Sequence, residues 1–223
     1  MTIHEGHRAR MRRQLKTSGM DSLSDVQVLE VLLYYAIPRA DTNPIAHALL
    51  ARFGTLDGVF SAPKSELCKV EGVGEAAAEL LLLVPQVARR CLMSRSAQIQ
   101  VLDSTAKCGR YLLPYFSGER EEVVYLLCLD AKCKALDCVL VHRGGVNVAA
   151  IAARKIVKAA LDVGATSVVL AHNHPSGLAL PSQEDRHTTL LLKSALESVG
   201  VVLADHIIVA DNDFVSMRDD GIL

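Results

Sequence analysis

No uninterrupted apolar run in this 223-residue chain approaches the roughly 18–20 residues that a membrane span needs. The longest candidate, Ala76 to Ala88, is broken by Glu79, Pro85 and Gln86, so no membrane partner is expected. A charge excess of either sign is also missing. The formal net charge is -1, and nothing pulls the chain as a whole toward nucleic acid or an anionic surface. A disulfide framework is absent too: Cys68, Cys91, Cys108, Cys128, Cys133 and Cys138 are scattered through apolar stretches and read as reduced thiols. The even spacing of Cys128, Cys133 and Cys138 runs over a strand, a turn and the next strand, without the second thiolate pair expected of a structural zinc site. The start, MTIHEGHRARMRRQ, has basic residues but no apolar segment or small-residue cleavage site behind them, which makes a cytoplasmic location the expectation. Internal repeats and low-complexity tracts are lacking as well.

What is present is an ordinary globular composition, half hydrophobic and 22% charged, long enough for one large domain or two small ones. The two halves follow different patterns. A helical module is expected over 1–95. Leu23 to Tyr35 carries apolar residues at three- and four-residue intervals, with Ser22 or Ser24 available as a cap. Asn43-Pro44 opens a second helix that stops near Gly54. Another follows Pro63, and Glu75 to Ala88 forms the last long one. Ser94 to Leu102 reads as a polar linker.

Between the last two helices sits Lys69-Val70-Glu71-Gly72-Val73-Gly74, a helix-hairpin-helix-like turn. The amides of Gly72, Val73 and Gly74, with the following helix N-terminus, would suit a DNA phosphate. Equally, the glycines could serve only the sharp turn, and Glu71 and Glu75 would repel a phosphate. Arg8, Arg10, Arg12 and Arg13 form the one concentrated basic patch, able to grip phosphates but without interleaved aromatics to stack on bases. A solvated helix end explains them as well.

From 101 to 223 the grammar is α/β. Glu122–Leu129, Ala135–Val141, Thr166–Ala171 and Val201–Ala210 are short and rich in β-branched residues, with helical stretches at Ala150–Val163 and Gln183–Val199. The third strand runs into AHNHPSG. If the chain stays extended, His172 and His174 face one side and Asn173 the other. The letters H-N-H are therefore poor evidence for a nuclease, whereas an i, i+2 histidine pair is a metal-ligand arrangement. The Pro175-Ser176-Gly177 turn can carry Asp185, in the first turn of the next helix, back to the pair. Two imidazoles, one carboxylate and an open fourth position describe a catalytic zinc site rather than a structural one. A proton acceptor is also needed, and Glu119, Glu121 and Glu122 all lie at the start of the first strand, where spacing alone does not choose among them. His142 reads as a loop residue, and His206 as a core histidine or a support to the ligands.

The segment His172-x-His174-x7-Ser182-x2-Asp185 matches the JAMM motif of MPN (JAB-like) zinc metalloproteases. AHNHPSGLALPSQED, with EVVYLLCLD upstream and DHIIV downstream, resembles the bacterial RadC family, and HEGHRARMRRQ and VEGVGEAAAELL resemble that family's N-terminal region. The resemblance implies a layered α/β MPN domain, cytidine-deaminase-like in fold, behind a small all-α helix-hairpin-helix-like domain. It implies Zn2+ held by His172, His174 and Asp185, Glu122 as general acid/base, and Ser182 as a hydrogen-bond donor to the oxyanion. A helix N-cap is Ser182's simpler role. The chain departs from the family pattern at His142-Arg143-Gly144-Gly145 and at Ala153-Arg154-Lys155, away from the metal motif. The implied activity is metallopeptidase hydrolysis of a peptide or isopeptide bond in a protein or peptide substrate. The rivals are a DNA-binding accessory protein, given the DNA-repair association of the RadC name, and a metal-dependent nuclease.

Overall fold

The computed structural model describes residues 3–96, 101–144, 148–211 and 213–223. The chain divides into two compact units, Met1–Ala88 and Arg89–Leu223. The division falls inside one helix, and Arg89, the first residue of the second unit, is held within that unit: its guanidinium donates to Glu119 at 2.8 Å, to the Tyr115 carbonyl and to the Tyr125 hydroxyl. The stretch read as a linker is helical as far as Ser96, and its residues 97–100 lie outside the described ones. Among the described residues no helix is long and apolar enough to cross a membrane.

The first unit is helical: α1 (Ile3–Ser18), α2 (Asp25–Leu33), α3 (Asn43–Phe53), α4 (Leu56–Phe60), α5 (Lys64–Leu67) and α6 (Glu75–Ser96), the last running into the second unit. Ser24 starts α2 with a capping box to Gln27, Pro44 sits in the first turn of α3, and Gly54 ends it. Leu29, Leu33, Leu49, Val59, Leu67 and Leu81 form the core. The helix expected after Pro63 is only four residues long. The hairpin that follows needs its glycine twice over. Gly72 has φ +85°, and a Cβ there would come within 2.7 Å of the Ile45 side chain. Lys64 spans the hairpin to Glu75 and Glu79. The basic patch is partly built into the fold. Arg8 donates to the carbonyls of Ile37, Pro38 and Ala40 beyond α2 and lies 4.6 Å over the Tyr34 ring, while Arg10 donates to His7 Nδ1. Arg12 and Arg13 are exposed.

The second unit contains α7 (Thr105–Phe116), β1 (Val123–Leu129), β2 (Ala135–Arg143), α8 (Val148–Val163), β3 (Ser167–Asn173), α9 (Gln183–Glu197), β4 (Val202–Ala210) and β5 (Asp213–Ser216). The sheet order is β2-β1-β3-β4-β5, with β3 and β4 parallel and every other neighbour antiparallel. Every residue of β1 is buried, which is why its sequence is continuously apolar rather than alternating. Val124, Leu126 and Leu170 face α8 and α9 with Ile156 and Leu192, whereas Tyr125, Leu127 and Val169 face α7 with Leu112. The expected strands and helices recur with ends shifted by a residue or two. Two elements, α7 and β5, had no clear signal. Gly109 and Pro114 interrupt the helical pattern of α7, yet Gly109 is where β5 packs: a Cβ there would sit 2.3 Å from the Phe214 ring.

Candidate metal centre

The end of β3 and the start of α9 meet on the α8/α9 side of the sheet. Val124 of β1 pairs with His172. Residues that oppose each other across an antiparallel pair share a face, so His172 lies on the same face as Val124 and Leu126. Beyond it the chain stays attached to β4, because the His174 amide donates to the Val209 carbonyl at 2.9 Å. Ser182 then caps α9. Its hydroxyl accepts from the Asp185 amide, and its own amide and hydroxyl donate to Asp185 Oδ2 at 2.8 and 2.6 Å. That reciprocal capping box aims the Asp185 carboxylate at the two histidines.

His172 Nε2 and His174 Nε2 lie 2.9 Å apart. Asp185 Oδ1 is 3.3 Å from the first and Oδ2 is 3.5 Å from the second. The hydrogen-bond partners decide which of these atoms carry protons. His174 Nδ1 faces the Leu178 carbonyl at 3.0 Å, an acceptor only, so Nδ1 donates and Nε2 keeps its lone pair. His172 is fixed from further away. Thr189 donates its single hydroxyl proton to the Asp185 carbonyl at 2.6 Å, and therefore accepts from His206 Nδ1, also at 2.6 Å. Burial drives the His206 pKa well below its ordinary value, so the ring is neutral and its Nε2 accepts from His172 Nδ1 at 2.8 Å. That leaves His172 Nε2 unprotonated as well. Burial pushes the Asp185 carboxyl up, and the two hydrogen bonds that Ser182 donates to Oδ2 work against it; the group stays well below the usual carboxylate range.

Three unprotonated donors thus converge with no proton between them, an arrangement that calls for a cation. Ligands about 2.0–2.2 Å from a tetrahedral zinc stand roughly 3.3–3.6 Å from one another. Two of the three separations already match, and the 2.9 Å pair must open by only a few tenths of an ångström. His172, His174 and Asp185 form the group among the described residues able to hold a metal ion. The set fits zinc.

These residues line a cavity of about 180 Å³ with Glu122, Glu184 and Ser182, floored by apolar side chains such as Ile156 and Leu192. The three candidate carboxylates now separate. Glu119 is held by Arg143, at 2.5 and 2.9 Å, and by Arg89. The Glu121 side chain is exposed and outside the cavity lining. Glu122 lines the cavity, two residues before Val124 and so across from His174 when the β1–β3 register is continued. His142 is the penultimate residue of β2 rather than a loop residue, and its Nε2 bonds the Gly144 carbonyl. His187 is exposed on α9. Thr189 had not been singled out, although its place four residues after Asp185, on the same helix face, is a readable signal. A bulge at Ala204 turns His206 toward the site. The register steps from Leu203 opposite Val168 to Asp205 opposite Val169, which brings His206 level with Leu170 on the metal face.

The model of the RadC-like JAB domain matches residues 102–222, and that of the UPF0758 N-terminal domain matches residues 4–79. The first match alone covers more than half of the chain and contains all three converging donors. The chain belongs to the RadC family.

Proposed function

We propose that the chain is a zinc-dependent hydrolase that cleaves an amide bond, peptide or isopeptide, in a protein or peptide substrate. The observation that carries this reading is the convergence of His172 Nε2, His174 Nε2 and the Asp185 carboxylate as unprotonated donors in the lining of a cavity. Zinc bound by these three residues would supply a Lewis acid and make a water acidic near neutral pH. Glu122 takes the proton from the attacking water and delivers it to the leaving nitrogen. Ser182 orients Asp185 through its two bonds to Oδ2; to donate to a developing oxyanion its hydroxyl must turn away from that carboxylate. The DNA-binding reading draws less support, because Arg8 is committed to backbone carbonyls and Lys64 to Glu75 and Glu79.

The metal content of the purified wild type tests the site against His174→Ala and Asp185→Ala. Zinc in the wild type and its loss from both variants is the expected result, and full zinc in both would sink the assignment. Glu122→Gln should keep zinc, stop hydrolysis and trap bound proteins or peptides for identification. Unchanged turnover in that variant would refute its role as base.

A further inference from the structure

The middle residue of the histidine pair has so far had no assigned task. Asn173 is 5% exposed, and its carboxamide does two things at once. Nδ2 donates to the Glu121 carbonyl at 3.0 Å, and Oδ1 accepts from the Val123 amide at 2.8 Å. Both partners are backbone groups, and they flank Glu122 on either side. The β1–β3 ladder ends at Val124 opposite His172. One residue further, at Val123, β1 is paired with β2 but no longer with β3; there the Asn173 side chain stands in for the missing β3 backbone and extends the pairing by one peptide's worth of donor and acceptor. Glu122 is also fastened from the opposite side, because the Gly144 amide donates to its carbonyl at 2.9 Å.

We infer that Asn173 is the positioning residue of Glu122: its carboxamide clamps the backbone on both sides of that residue and so fixes the carboxylate relative to the two histidines between which Asn173 itself stands. This rests on the reading of the site as a zinc hydrolase. The chemistry explains the residue type. A carboxamide donates and accepts from one rigid plane. Aspartate could accept from Val123 but would turn an anion toward the Glu121 carbonyl, and alanine offers neither bond. The same strand-end tripeptide thus supplies two ligands from one face and the clamp for the base from its middle residue, so an error in strand register would misplace all three functions together.

The test uses Co2+ in place of zinc in the full chain, because its visible absorption reports on the ligands and on the water at the metal. In the wild type the spectrum should change with pH, and Glu122→Gln should move that transition. Asn173→Ala should move it in the same direction with Co2+ stoichiometry unchanged, and the double variant should move it no further than Glu122→Gln alone, since the clamp acts only through that carboxylate. A transition in Asn173→Ala at the wild-type pH would overturn the clamp while leaving the metal site intact. A fully additive double variant would overturn it too. A wild type that takes up no Co2+ would overturn the metal reading and the clamp with it. Should Asn173→Ala not fold, the near-isosteric Asn173→Asp keeps the Val123 bond, loses the one to Glu121 and carries the same expectation.

Discussion

Each unit of the molecule holds a histidine close to a shielded carboxylate, and the two pairs are opposite in kind. In the helical unit Glu30 is 1% exposed and surrounded by donors. His7 Nε2 and the Tyr34 hydroxyl reach Oε1, both at 2.7 Å, and Asn43 Nδ2 reaches Oε2 at 3.1 Å. His7 is set to donate because Arg10 already donates to its Nδ1. Every lone pair that matters has a proton facing it. In the α/β unit His172, His174 and Asp185 show the reverse: apart from the two Ser182 protons that aim Asp185, the protons of the surrounding network are directed away from the centre, toward Leu178, His206, Thr189 and the Asp185 backbone, and the imidazole lone pairs face inward. A carboxylate ringed by donors is a finished structural element, whereas a ring of acceptors is a socket. Counting histidines and acids does not separate the two; following the protons does.

The largest expected effect lies in the finished cluster. Glu30→Ala would strip the buried Tyr34 hydroxyl of its acceptor and release the His7 and Asn43 donors, and leaving a buried donor unsatisfied costs about 1–3 kcal/mol per group. Chemical denaturation should show that loss in the helical unit, with the zinc content of the purified protein unchanged. A parallel loss of zinc would break the comparison, since it would tie the two clusters together. Substituting the socket should give the opposite pattern: little loss of stability without metal and a large loss of binding.

A smaller effect sharpens the second half of the comparison. If the relay from Thr189 through His206 holds His172 in its ligating tautomer, His206→Phe should weaken zinc binding about 10–100-fold, or about 1.4–2.7 kcal/mol. His206→Gln can accept from His172 and donate to Thr189, and should restore most of the affinity. Competition with a chromophoric chelator measures both variants. Equal affinity in His206→Phe and the wild type would mean that the outward direction of the protons is incidental.

Which parts of this were legible beforehand follows from the range of the interactions. His172, His174 and Asp185 were readable because a strand's period of two and one turn of loop are local geometry. The inner strands β1 and β3 were readable because burial on both faces writes a continuous apolar run. The role of Asn173 was not: its partners, Glu121 and Val123, lie 52 and 50 residues away in sequence, and nothing in the tripeptide says what stands beside it. His206 faces the metal side only because of the bulge at Ala204, and a one-residue slip has no signature in a β-branched run. Glu119, Glu121 and Glu122 were alike as letters. What separates them is Arg89 and Arg143, which reach Glu119 from 30 and 24 residues away.

Glu119 also offers the gentlest test, because it is a second carboxylate of the finished kind, three residues from the one proposed as base. Burial pushes its pKa up, and the hydrogen bonds and charges of Arg143 and Arg89 outweigh this, holding the carboxyl below its ordinary 4.5. A carboxylate whose folded pKa is depressed contributes stability that is present above the unfolded value and lost as pH falls through the folded one. The acid limb of the stability curve should therefore begin just below pH 4.5 and flatten there in Glu119→Gln. Arg143 is 46% exposed on its side chain, so water screens part of the pairing and the difference at neutral pH should be about 1 kcal/mol or less. An acid limb in Glu119→Gln that matches the wild type would mean that Arg143 and Arg89 leave Glu119 no more finished than a carboxylate in water.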